Sequence, residues 1–242
     1  MRAEATEHTL QTTCPQCHLR HLCWPQGLSA EELARLEVLV SHHRKVKRGD
    51  HLYHAGDHFN AIYTVHAGFF KTDVLLPDGR DQVTGFQMAG EMLGLDGIGT
   101  DIHTCNAVAL EDSEVCFIPF NPLEGMLSEV RPLQSHFHKL MSREIVRDHG
   151  VMMLLGTMRA EERVAAFLIN LSQRFLSRGF SPAEFNLRMT REEIGSYLGL
   201  KLETVSRAFS RFAENGLIGV QQRNIRILDT EGLKRILNTQ AA

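Results

Sequence analysis

Apolar and polar positions change their pattern twice along the chain. Between Val46 and Phe120 they fall in short β-type runs, such as Ala61-Ile62-Tyr63-Thr64-Val65, Phe69-Phe70-Lys71-Thr72-Asp73-Val74-Leu75-Leu76 and Glu114-Val115-Cys116-Phe117-Ile118. Gly49, Gly56, Gly68, Gly79, Gly85, Gly90 and Gly94 punctuate the runs, and Pro77-Asp78-Gly79 supplies a hairpin turn. Many short strands with regular turns predict a jelly roll or small barrel. Ahead of them, Ser29 stands three residues before Glu32, a capping box that predicts a short helix running to about Val40.

From about Arg131 the pattern turns helical and stays so to about Met158. His138, Met141, Ile145, Asp148, Met152 and Leu155 follow one another at spacings of 3, 4, 3, 4 and 3, a heptad seam. A helix packed on its own barrel has the same periodicity, but a private core tolerates a carboxylate poorly. The seam therefore predicts a dimer interface containing Met141, Ile145, Asp148 and Met152.

The last third reads as a helix, a helix-turn-helix and a hairpin. Glu161 to Leu176 is amphipathic, with Val164, Phe167, Leu168 and Leu171 on one stripe. Thr190 and Glu193 form a second capping box, and Gly199 supplies the left-handed residue of a tight turn. A second helix is predicted from about Lys201 to Ala213, with Val205, Phe209 and Phe212 inward, stopped by Asn215-Gly216. Leu217–Val220 and Asn224–Leu228 predict a β-wing. The second helix of such a motif enters the DNA major groove and presents its N-terminal residues to base edges. Glu203, Thr204, Ser206, Arg207 and Ser210 lie off the apolar stripe. Arg207 is suited to guanine, Glu203 to a cytosine amino group, and Ser206 to either.

The chain has 242 residues, 43% of them hydrophobic, enough for one large domain or two ordinary ones. No run of 18 apolar residues occurs, which excludes a membrane-spanning helix, and Met1 to Thr13 has no apolar secretory core. Both predict a cytoplasmic protein. The net charge of −3 argues against a uniformly basic nucleic-acid binder but hides an asymmetry. Residues 163–242 carry 12 Lys and Arg against 7 Asp and Glu, whereas the rest carries 14 against 22. The basic third coincides with the helix-turn-helix, where phosphates are expected.

Five cysteines in a reducing compartment favour a metal or redox site over disulfides. Cys14, Cys17 and Cys23 form Cys-x2-Cys-x5-Cys in a polar leader, and Cys116 lies far downstream. Cys14-Pro15-Gln16-Cys17-His18 also fits covalent haem attachment, which belongs to exported proteins. Structural zinc stays open, since His18 and His21 can join the thiolates, although such sites usually come as paired knuckles. Buried, unliganded thiol suits Cys105, which matches no spacing. Thiolates prefer soft centres, and a four-thiolate iron–sulfur cluster suits the set best.

With these motifs the chain resembles the oxygen-responsive regulators of the fumarate-and-nitrate-reduction (FNR/ANR) type, within the cyclic-AMP receptor superfamily. The resemblance runs from Cys14 to about Leu228. It rests on the cysteine spacing, Gln82-Val83-Thr84-Gly85-Phe86, Val115-Cys116-x-Ile118-Pro119-Phe120, Met141-Ser142-x-Glu144-Ile145, Arg178-Gly179-Phe180-Ser181, Gly195-x-Tyr197-Leu198-Gly199-Leu200 and Glu203-Thr204-Val205-Ser206-Arg207. It implies an α+β chain in four parts. These are a cysteine-rich cluster-binding leader (1–28), a cyclic-nucleotide-binding-like jelly-roll β-barrel sensor domain (29–130), a dimerisation helix (131–160) and a winged helix-turn-helix DNA-binding domain (161–242). It further implies a [4Fe-4S] cluster on Cys14, Cys17, Cys23 and Cys116, and a homodimer that binds DNA while the cluster is intact. Glu203, Ser206 and Arg207 fall on the base-reading positions, with Thr204 beside them, implying a TTGAT-type inverted repeat and RNA polymerase as partner.

One departure bears on the effector. Superfamily members that bind cyclic nucleotides need an Arg for the phosphate about ten residues after Gly-Glu. Here Gly90-Glu91 is present, but Thr100 to Ala109 contains no basic residue except His103. A buried phosphodiester without its cation is poorly compensated, so a cyclic-nucleotide or haem-type effector is the lesser alternative. A cupin-like enzyme would need His-x-His on a strand. His136-x-His138 falls on the long helix and His54, His58 and His66 are irregularly spaced, so no enzyme is expected.

Overall fold

A computed structural model describes Cys17, Leu19, Cys23 and residues 28–40 and 42–237. Helix α1 (Ala30–Leu39) starts where its capping box requires: Glu32 N donates to Ser29 Oγ at 3.2 Å and Ser29 N to Glu32 Oε2 at 2.7 Å. Eight strands follow: β1 (His42–Val46), β2 (His51–Tyr53), β3 (Ala61–Ala67), β4 (Phe69–Leu75), β5 (Asp81–Met88), β6 (Met92–Leu93), β7 (Asn106–Ala109) and β8 (Ser113–Pro119). They form two four-stranded sheets of order β1-β8-β3-β6 and β2-β7-β4-β5. Tyr63, Val65 and Val115 from the first meet Leu52, Phe70 and Ala107 from the second in a common core. The jelly-roll expectation is met as two facing sheets. No ladder among the described residues joins the two sheets, so closure into a barrel is not shown.

Strand β3 is buried on both faces from Ala61 to Val65 because it lies between two layers. Ala61, Tyr63 and Val65 face the other sheet, while Ile62 packs against helices with Ile118. That helical layer contains α1, α2 (Phe120–Glu129) and the start of α3 (Arg131–Thr157). Sequence reading missed α2. Val130 breaks the two helices with extended backbone (φ −110°, ψ 91°), and Pro132 opens α3, where a missing N–H costs nothing.

Helix α3 carries two stripes. Leu133 and Phe137 are buried, Leu140 packs beside them and Leu154 against the C-terminal core, so this stripe serves the chain itself. On the other stripe Ile145 is 55% and Met152 62% exposed, Asp148 and His138 are exposed, and Met141 and Leu155 half-buried.

Helix α4 (Ala160–Leu176) buries Val164, Phe167, Leu168 and Leu171 as its periodicity requires. Then come β9 (Glu184–Asn186), α5 (Arg191–Leu198), α6 (Leu202–Glu214), β10 (Ile218–Gln221), β11 (Asn224–Ile227) and α7 (Thr230–Leu237). The wing has a third strand, in the order β10-β11-β9, that sequence reading missed together with α7. Gly199 ends α5 at φ +63°, and a Cβ on Gly195 would lie 2.6 Å from the Leu200 carbonyl oxygen, so the turn needs both glycines. Arg163 ties the reader to the long helix. Its guanidinium donates to Leu155 O (2.7 Å), Met158 O (2.9 Å) and Leu198 O (3.0 Å), satisfying the open C-terminal ends of α3 and α5 at once.

Candidate metal centre and nucleic-acid interface

Strand β8 alternates, and the alternation decides where Cys116 points. Val115 and Phe117 face the inter-sheet core, while Cys116 and Ile118 face the helical layer. In register, Cys116 stands opposite His43 on β1 and Thr64 on β3, and its Sγ lies 3.8 Å from His43 Nε2. Cys23 comes to the same face. It lines a cavity with Thr64, Ile62, Ile118 and His136, and His136 Nε2 donates to Cys23 O at 3.2 Å. The leader is thereby tied to the head of α3. Cys23 N donates to Leu19 O at 3.2 Å, Leu19 is buried and Cys17 half-buried. Cys14 and His18 lie outside the described residues. Among the described residues the cysteine sulfurs are not drawn into one close-packed donor group.

Arg178 lies within electrostatic reach of Cys23: burial, and less strongly Arg174, push its pKa down, while Glu91 and Cys23 act in the opposite sense. Cys105 lies elsewhere. It packs against the inter-sheet core, where burial and then Asp96 push its thiol up to about 12.

On α6, Val205, Ala208, Phe209 and Phe212 are buried, leaving Glu203, Arg207 and Ser210 exposed and Thr204 and Ser206 half-exposed. The guanidinium of Arg191 stacks 3.3 Å over the Phe209 ring, holding α5 against α6. All the predicted readers thus lie along one open helix face.

Two sets of residues that sequence reading missed join sensor and reader. Glu91, only 13% exposed, accepts from Arg174 Nη2 at 2.5 Å and Arg178 Nη2 at 2.6 Å, with Arg147 Nη1 at 3.6 Å. Burial alone would raise its pKa, but Arg174, Arg178 and Arg147 outweigh it and hold the carboxyl below its ordinary value. Separately, Val83 N donates to Ser196 Oγ at 2.8 Å, Ser196 Oγ donates to Asp81 O at 3.1 Å, and Lys71 pairs with Glu193 at 3.1 Å. Phe69, Val83, Phe86 and Met88 of the sheet share one core with α4, α5 and α6. The only hint in the sequence was the separate pair of matching segments around Gln82 and Gly195. Spacing alone does not bring them together.

The same network bears on the effector. The Glu91 carboxylate is already engaged by arginines, and His103 is 3% exposed, stacked 3.7 Å from Tyr53 and 3.3 Å from Asp96. Neither is placed to receive a phosphate. Glu91→Gln is expected to cost about 3–5 kcal/mol of stability by leaving buried guanidiniums uncompensated. Equilibrium denaturation checks this. Because the folded pKa of Glu91 is depressed, its contribution is full above the unfolded carboxylate value of about 4.3 and fades as pH falls through the lower folded value. The stability gap between parent and variant should therefore narrow in acid.

Residues 43–130 match the family model described as a cyclic nucleotide-binding domain, and residues 162–236 that of a Crp-like helix-turn-helix domain. The transcriptional activator protein anr of Pseudomonas aeruginosa is 43% identical over 91% of this chain and 90% of its own. The fumarate and nitrate reduction regulatory protein of Escherichia coli is 40% identical over 92% of this chain and 89% of its own. Among solved structures, FixK2 from Bradyrhizobium japonicum superposes with a TM-score of 0.75 at 28% identity, covering 81% of this chain and 96% of that one. With both halves of the architecture matched and relatives aligned along nearly the whole length, the chain belongs to the FNR/ANR-type transcriptional regulators of the cyclic-AMP receptor superfamily.

Proposed function

We propose that this protein is an oxygen-sensing transcription regulator of the cytoplasm that binds inverted-repeat promoter DNA as a homodimer and acts with RNA polymerase. Residues 1–28 and 29–130 sense, 131–160 dimerise and 161–242 read DNA. No helix among the described residues is long and apolar enough to cross a membrane. Cys14, Cys17, Cys23 and Cys116 hold a [4Fe-4S] cluster in this reading. One observation carries it: Cys23 and Cys116 reach the same sheet face, beside the head of α3. When bound, a cluster of this kind supplies an oxygen-labile crosslink between leader and β8.

The chain's own residues do the rest. His136 holds the Cys23 backbone against α3, so the position of the leader bears directly on that helix. Ile145 and Met152 draw two copies together along α3. Glu203, Ser206 and Arg207 then face base edges in half-sites one helical turn apart, about 34 Å between recognition helices. Anaerobic purification with an absorption spectrum and iron and sulfide counts tests the sensor. A brown protein that bleaches in air is expected, and a colourless, iron-free one would overturn the reading.

The reading residues are tested separately. Arg207→Ala is expected to weaken binding to a TTGAT-type repeat by about 1–3 kcal/mol and to relax preference at one base pair. Binding isotherms over sites altered at single positions measure this. Equal weakening on every site, with a shallower salt dependence, would place Arg207 on phosphate instead.

A further inference from the structure

The face that carries Cys116 holds a second donor set that the reading above does not use. Strands β1, β8 and β3 are neighbours, and His43, Cys116 and Thr64 align across them. Glu114 lies two residues from Cys116 and so shares its face. His66 sits at a register irregularity in β3, between Val65 and Ala67, that brings it alongside. One ligand atom each from His43, His66 and Glu114 lie within 4.8 Å of one another, and all three residues are half-buried. His43 Nδ1 is 2.6 Å from Glu114 Oε1, the two imidazole centroids are 5.0 Å apart, and Cys116 Sγ is 3.8 Å from His43 Nε2.

Zinc bonds of about 2.0–2.3 Å to nitrogen, oxygen and sulfur set tetrahedral ligand–ligand edges of about 3.3–3.6 Å. The observed separations lie around that range and need only side-chain adjustment to meet it. A histidine–carboxylate ion pair accounts for His43 and Glu114 alone. It does not account for a second imidazole converging on the same spot from another strand. The donor types, two imidazoles and a carboxylate, suit a borderline ion such as Zn²⁺ rather than a hard cation.

We propose that His43, His66 and Glu114 form a mononuclear zinc-type site, with its fourth position left to water. Such an ion would pin β1, β8 and β3 together across the face the leader approaches. The site needs none of the cysteines.

The test uses the full-length chain carrying Cys14→Ser, Cys17→Ser and Cys23→Ser, titrated with Co²⁺ as spectroscopic probe and then with Zn²⁺. One equivalent of Co²⁺ should bind with the intense visible bands of a tetrahedral site, and Zn²⁺ should displace it. His66→Ala or, separately, Glu114→Gln in that background should weaken binding by more than the roughly 10–100-fold that loss of an outer-shell partner costs. No stoichiometric binding, or binding indifferent to both His66→Ala and Glu114→Gln, would overturn the site.

Discussion

Cys116→Ser is expected to yield a folded protein that retains no iron after anaerobic purification, whereas Cys105→Ser retains the parent's full complement. Cys116 is the one described cysteine on a strand, it packs on the helical-layer side that Cys23 also approaches, and a site short of one thiolate stands open to water and exchange. Cys105 faces the wrong way: burial and Asp96 push its thiol up to about 12, far from the thiolate that metal binding requires. The substituted hydroxyl at Cys116 is half-buried on a sheet surface, so the cost to folding is small beside the loss of metal. Iron and sulfide counts with circular dichroism on both variants decide the matter. Iron kept by Cys116→Ser and lost by Cys105→Ser would reverse the choice of fourth ligand.

The second large effect is expected from Asp148→Ala, which should convert metal-free protein in air from monomer to a dimer that binds DNA. Asp148 lies on the exposed stripe of α3 between Ile145 and Met152, which are 55% and 62% exposed in the single chain. In a parallel two-fold pair it would face its own copy. Two carboxylates about 4–6 Å apart at an effective dielectric near 20 repel by roughly 3–4 kcal/mol, before either moves toward solvent. Allowing for that relief, removing them should tighten the dimer on the order of 30- to 100-fold. Sedimentation of the variant, metal-free and aerobic, measures the shift. A variant as monomeric as its parent would remove Asp148 as the restraint and with it the seam assignment.

The α3 stripe also shows how far periodicity reaches. The heptad spacing located it, and its exposure fits an interface. The helix carries a second stripe through Leu133, Phe137, Leu140 and Leu154, and only packing tells which one the chain keeps for itself. The break at Val130 and the separate helix α2 were invisible for a similar reason: apolar runs before and after Pro132 look alike until the backbone turns.

What the sequence determined by itself was local. Ser29 and Thr190 place the starts of their helices because the capping residue and its Glu three positions on satisfy backbone N–H groups within one turn. Gly199, Gly195 and the apolar stripe of α6 specify the helix-turn-helix and leave Glu203, Thr204, Ser206 and Arg207 outward. Charge asymmetry and cysteine spacing pointed to DNA and a soft metal because composition alone carries that chemistry. The tertiary structure decided the rest. The strands pair as two facing sheets, and Cys23 meets the face of Cys116 across about ninety residues of chain. Glu91 is locked by Arg174 of α4 and Arg178 just beyond it, Ser196 seals β5 to α5, and His43, His66 and Glu114 converge from three strands. None of these pairings has a spacing to read. Each depends on strand order and on which face a residue presents, and those are set by the burial of apolar surface over the whole chain rather than by neighbours in sequence.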